Sequence, residues 1–146
     1  RPVNMFVAGF IGSPQMNFIN VMIDKRGDDI YLKFGDNEIR LPEAKAKKLE
    51  NSDYIGREVV MGIRPESIHD EDTFIQSMPD SIVTANVEVV EMLGSETLLH
   101  MYIGDVSVTA RVNPRTKTRS GDVIKVAIDP TRVHLFDKDT EKTIIN

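Results

Sequence analysis

The chain has 146 residues, enough for one ordinary domain with a true core or for two small units sharing one. It is 40% apolar and 28% charged and has no cysteine, which excludes wholesale disorder, disulfides, thiol nucleophiles and thiolate metal sites. A formal net charge of −5 argues against a phosphate-backbone partner, and no apolar run approaches the ~20 residues of a membrane-spanning helix.

The chain opens on Arg1-Pro2 rather than on methionine, which suggests a piece of something longer, and no signal peptide is visible. Residues 3–11 read as a short helix in which Asn4 can act as cap and Phe6, Val7, Phe10 and Ile11 share one face. Gly12 and Pro14 end it. So short a helix is unstable alone in water, so its four apolar side chains require cover from this domain or from a neighbour.

From Phe18 the period changes to two. Ile19, Val21 and Ile23, then Ile30, Leu32 and Phe34, then Ile39 and Leu41 predict three strands in a meander, with turns at Arg26-Gly27-Asp28 and Gly35-Asp36-Asn37. Residues 42–50 form the other helix candidate, with Pro42 in its first turn, and Gly56 closes that segment. Residues 58–68 then predict a strand with one apolar face, Val59, Met61 and Ile63, against Glu58, Val60 and Gly62. Pro65 ends it in a fixed corner that aims Arg64 and Glu66 outward together.

Residues 68–80 are polar and acidic and read as a surface loop between two halves. In residues 82–92 Val83, Ala85, Val87 and Val89 are expected on one face. The apolar positions then shift to Val90 and Met92, as a bulge requires. Leu93-Gly94-Ser95 turns into the strand of Thr97, Leu99, Met101 and Ile103, and Gly104-Asp105 marks a hairpin into Val106, Val108, Ala110 and Val112. A solvated basic loop, Arg115 to Arg119, precedes Ile124, Val126, Ile128, Val133 and Leu135. About nine short strands with no wish to leave edges open predict an all-β fold with one or two short helices, an OB-like β-barrel or two interlocked small sub-barrels.

The usual catalytic constellations are missing. None of the nine glycines belongs to a Gly-x-x-x-x-Gly-Lys-Ser/Thr or a Gly-x-Gly-x-x-Gly run. His69, His100 and His134 have no metal spacing, and His100 and His134 alternate with apolar residues as exposed imidazoles would. Asp70, Glu71 and Asp72 lack the spaced donors of a calcium loop and read as a solvated turn. Ser13 lacks the context of a nucleophile elbow, and Glu91 and Glu96 flanking Gly94 read as surface charges at a contact face.

Four blocks carry a resemblance that covers essentially the whole chain. They are Phe6-Val-Ala-Gly-Phe-Ile-Gly-Ser-Pro-Gln-Met-Asn-Phe18, Gly62-Ile-Arg-Pro-Glu66, Val89-Val-Glu91-Met-Leu-Gly94-Ser-Glu96-Thr97 and His134-Leu-Phe136-Asp137. In this order they resemble the C-terminal regulatory (TOBE/OB-type) domain of the maltose and multiple-sugar ABC importer ATP-binding subunits. The resemblance implies OB-type barrels over residues 18–146, with residues 1–17 as the linker from an ATPase domain that holds ATP and Mg; no cofactor is expected in this piece. It further implies a homodimer through the regulatory domain, permease subunits contacted through the ATPase domain, and docking of a sugar-phosphotransferase component or a transcriptional regulator at the inner membrane face. The contact surface is expected at Phe18, at the Gly62, Arg64, Glu66 corner and at the Glu91, Gly94, Glu96 turn, with Arg64 pairing with Glu66 or Glu91. The alternative is a domain that senses an oxyanion or a sugar directly.

Overall fold

Period-two alternation, broken by glycine and asparagine turns, makes most of the chain extended. The computed structural model describes residues 4, 5 and 15–146. These residues hold eleven strands and two α-helices of four and six residues, an all-β fold of OB type. β1 (Asn17–Arg26), β2 (Asp29–Phe34) and β3 (Asn37–Arg40) form the expected meander, α1 (Glu43–Ala46) follows, and β4 (Glu58–Ile63) returns to pair with β1. β5 (Ile68–His69) and α2 (Asp72–Ser77) lead into β6 (Ile82–Met92), β7 (Thr97–Ile103), β8 (Val106–Val112) and β9 (Val123–Ile128). β10 (His134–Phe136) and β11 (Thr143–Ile145) close the chain.

The strands form two sheets, β11-β10-β4-β1-β2-β3 and β5-β9-β6-β7-β8. In the second sheet the edge strands β5 and β8 touch, so it nearly closes on itself, which leaves little unpaired edge. The β3 edge of the first sheet lies against β6, where the Thr84 amide donates to Asn37 Oδ1 at 3.2 Å. One continuous core joins the sheets, with Ile19, Leu32 and Met61 from the first and Val83, Leu99 and Val126 from the second. Each such burial contributes about 1.5–3 kcal/mol.

Several expectations change once the sheets are assembled. β4 is not apolar on one face only: Val60 and Gly62 are buried too, because β4 lies between β1 and β10 and its outer face is covered by Met16 and Phe136. Residues 68–80 are not simply a surface loop, since Ile68 is fully buried and pairs with Ile128 while α2 follows. Val89 is exposed rather than core, because the bulge falls between Val87 and Val89 and rotates it outward, while Val90 packs on the core. The helix expected over 42–50 shortens to α1, after which i→i+3 bonds from Lys48 and Leu49 carry the buried Leu49 inward. The basic loop is partly internal: Thr118 is buried, and Thr116 and Thr118 donate to the Asp70 carboxylate at 2.5 and 3.0 Å.

Of the helix expected over 3–11, Phe6, Val7, Phe10 and Ile11 lie outside the described residues. Asn4 bridges to Lys142, and the Met5 amide donates to Glu141 O at 3.1 Å while its side chain packs on the Met16, Val60 and Phe136 cluster.

Candidate protein-contact surface

The first candidate position follows the Ser-Pro-Gln-Met-Asn run. In β1 the core side chains are Ile19, Val21 and Ile23, so Phe18 faces the opposite way. There it is half-buried and meets Phe136 edge to face, the ring centroids 6.0 Å apart at 72°. Its cross-strand partner is Gly62, which pairs on its other side with His134. A Cβ at Gly62 would stand 2.5 Å from Met16 Sδ and 2.8 Å from Phe136 Cε2. Glycine is needed there for close approach of an aromatic ring, and Gly62 thus shapes this face from beneath.

Asn17, which precedes Phe18, is the residue that joins the candidate segments, and sequence reasoning did not select it. Its side-chain amide behaves as a short piece of strand: Nδ2 donates to Thr109 O at 2.8 Å and to Ile63 O at 3.2 Å, and Oδ1 accepts from Thr109 N at 2.9 Å. β1 and β4 of one sheet are thereby tied to β8 of the other. From Thr109 a side-chain chain continues. His100 Nε2 lies 3.0 Å from Glu91 Oε1, and His100 Nδ1 lies 3.3 Å from Thr109 Oγ1. A carboxylate only accepts, so Nε2 carries a proton toward Glu91. His100, its side chain 40% exposed as expected, is therefore also a connector.

At the end of this chain is the β6–β7 turn. Gly94 has φ +82°, in the region glycine adopts without strain, and the Leu93 amide donates to Glu96 O at 2.9 Å. Glu96 is held by Arg111, with Nε 2.7 Å from Oε2, and Thr97 beyond it is buried. The turn presents apolar side chains to solvent: Met92 is 72% exposed, Val89 48% and Leu93 47%. Sequence reasoning named the charges of this turn and passed over those three. The signal available for them was their position beside a bulge and a glycine.

The third segment, the corner after β4, is a single 3₁₀ turn over Pro65–Ser67, with Arg64 extended before it. Glu66 is exposed and Arg64 half-buried. The Glu91 carboxylate, one of two expected for Arg64, is engaged by His100. The corner forms one wall of a cleft of about 460 Å³ whose other side is the Pro130–Arg132 turn. His134 also borders it, half-buried, its Nδ1 3.0 Å from Asn146 Oδ1; burial pushes the pKa of this imidazole down. The closing block thus divides its labour: His134 borders the cleft, Leu135 enters the core, Phe136 covers Gly62 and Asp137 caps the turn behind.

Among the described residues no group of His, Asp and Glu side chains could hold a metal ion, and no helix is long and apolar enough to cross a membrane. Two family models match, the MalK OB fold domain over residues 12–68 and the TOBE domain over residues 77–135. The oligosaccharides import ATP-binding protein MsmX of Bacillus subtilis (strain 168) is 42% identical over 143 residues, 98% of this chain and 38% of the relative. The trehalose/maltose import ATP-binding protein MalK of Thermococcus litoralis is 38% identical over 145 residues, 99% of this chain and again 38% of the relative. The chain therefore spans well under half the length of the relatives it matches. The cytoplasmic molybdate-binding protein ModG shares the fold, with a TM-score of 0.59 over 86% of this chain and 97% of its own at 17% identity. Carrying the OB and TOBE units alone, these residues are not themselves the ATPase. The chain belongs to the MalK OB-fold and TOBE domains found in the ATP-binding subunits of sugar-type ABC importers.

Proposed function

We propose that this domain is the regulatory and dimerisation module of a sugar importer's ATP-binding subunit. It holds two ATPase halves near one another through the transport cycle and offers the same region to regulators. The observation that carries this reading is the β6–β7 turn. A glycine fixes its backbone, His100 and Arg111 hold its carboxylates, and it still leaves Met92, Leu93 and Val89 facing solvent. Apolar side chains held out by a fixed turn beside charged residues suit a protein partner, because the backbone needs little ordering on binding.

In this reading Phe18, Arg64, Glu66, Glu91 and Glu96 belong to the contact region, with Gly62 and Gly94 shaping it. ATP and Mg are handled by the cassette of the parent subunit, which also meets the permease subunits, and this domain needs no cofactor. The subunit works on the cytoplasmic side, peripheral to the inner membrane face. A second copy is the primary partner, and a sugar-phosphotransferase component or a transcriptional regulator is a second one; nucleic acid is not a partner.

Sedimentation velocity on the chain, with Glu91→Lys and Met92→Lys beside it, tests the reading. A dimer for the parent chain and weaker association for both variants is the expected result. Association unchanged in both would remove this turn from the contact.

A further inference from the structure

The cleft between the Pro65–Ser67 corner and the Pro130–Arg132 turn combines balanced charges with a stacked aromatic pair. A depression of about 540 Å³ beside α1 has four carboxylates against two cations and no aromatic side chain. Here one wall is aromatic: the Phe74 and His69 rings stack with centroids 3.8 Å apart and planes 7° from parallel.

The charges in this cleft are balanced. Arg64 and Arg132 supply guanidinium donors, while Glu66 and Asp129 supply carboxylate acceptors. Asp129 Oδ1 is occupied by Thr131, whose amide and hydroxyl donate at 3.0 and 2.7 Å, so Oδ2 is the oxygen left for other donors. His134 adds a directional acceptor. Asn146 Oδ1 accepts from Nδ1, so the proton sits there and Nε2 keeps its lone pair. Burial pushes the pKa values of His69 and His134 down, which keeps both rings neutral near pH 7.

We propose that this cleft binds a neutral carbohydrate of one or two rings, its apolar face against the Phe74–His69 stack and its hydroxyls shared between the arginines and the carboxylates. A small oxyanion would face two carboxylates with no net positive charge to offset them. A polyol requires donors and acceptors together, since each hydroxyl both gives and takes a hydrogen bond. The volume falls within the range of small-ligand clefts, about 300–1,000 Å³. The inference goes beyond the contact reading and does not rest on it. It would place a cargo signal beside Arg64 and Glu66, where occupancy can bias whatever docks at that corner.

Saturation-transfer NMR on the chain with glucose, maltose and trehalose, and with sulfate and phosphate as contrasts, tests this directly. The expected result is transfer to at least one sugar, with a Kd on the order of 1 mM, and displaced Phe74 and His134 ring resonances. Arg132→Ala, an exposed side chain, and Phe74→Ala should each weaken binding about tenfold, with circular dichroism confirming that both variants fold. No transfer to any of the three sugars would overturn the proposal. So would sulfate or phosphate moving the same resonances, or sugar binding unchanged in both variants. Sedimentation without sugar reads the dimer separately, so failure of one reading leaves the other measurable.

Discussion

Gly62 and Gly94 both sit in blocks that carry the resemblance, yet the chain needs them for opposite reasons. At Gly62 the backbone is ordinary strand and the missing Cβ makes room for Met16 and Phe136. At Gly94 nothing lies within 4 Å of where a Cβ would be, and the positive φ alone asks for glycine. The first region covers its own apolar face with side chains of the same chain, while the second leaves Met92, Leu93 and Val89 open. A glycine that admits an internal ring contributes to stability; a glycine that fixes an exposed turn sets what a partner meets.

The comparison breaks most visibly at Gly62. Gly62→Ala should cost up to about 3 kcal/mol, since Met16 can swing aside but the Phe136 ring is fixed by its own strand. A fall in the denaturant midpoint with unchanged slope reads this, and Phe136→Leu in the same chain should recover part of the loss.

Asn17→Ala comes next, at about 2 kcal/mol, because it strands the Thr109 amide and two carbonyls that the side chain now satisfies. Faster hydrogen exchange at Thr109 than at the centre of β7 would place the damage at the seam between the sheets. Equal exchange at both would show that the seam does not open on its own.

Gly94→Ala is expected to cost about 1 kcal/mol through backbone strain alone, read as a shift in thermal midpoint. It should also weaken self-association in sedimentation more than Gly62→Ala does, because it acts directly on the turn that presents Met92 while Gly62 acts from beneath Phe136. Equal association in the two glycine variants would erase the distinction drawn between them.

The smallest effect is in acid. Amide hydrogen bonds from Thr140, with the Tyr54 hydroxyl donating at 2.8 Å, hold the Asp137 carboxyl down at about 2 from an ordinary 3.8. A depressed folded value means stability fully present above the unfolded value and lost as pH falls from about 4 toward 2. Because the side chain is still reached by solvent, the slope should be shallow, and Asp137→Asn should flatten it in chemical denaturation between those pH values.

Much of this protein was legible before any coordinates. The β1–β3 meander, the β7–β8 hairpin at Gly104-Asp105 and the bulge near the end of β6 follow from short-range chemistry: alternation, glycine turns and a shift of apolar phase. The candidate surface was legible in part, since Phe18, Glu91 and Gly94 could be named from their motifs. Their linkage could not, because Asn17 and Thr109 are 92 residues apart and nothing local announces that a side-chain amide will stand in for a strand. Val89 was misplaced because a bulge moves every side chain after it to the other face, and alternation does not reveal where the extra residue sits.

By itself the sequence determined the strand content, the family and the absence of the phosphate-binding motifs, all of which depend on neighbours along the chain. Only the tertiary structure decided that both faces of β4 are buried, that a glycine lies under Phe136 and that two arginines, two carboxylates and an aromatic stack border one cleft. Those facts come from pairing distant strands, and the geometry of pairing is a property of the closed sheets rather than of any segment within them.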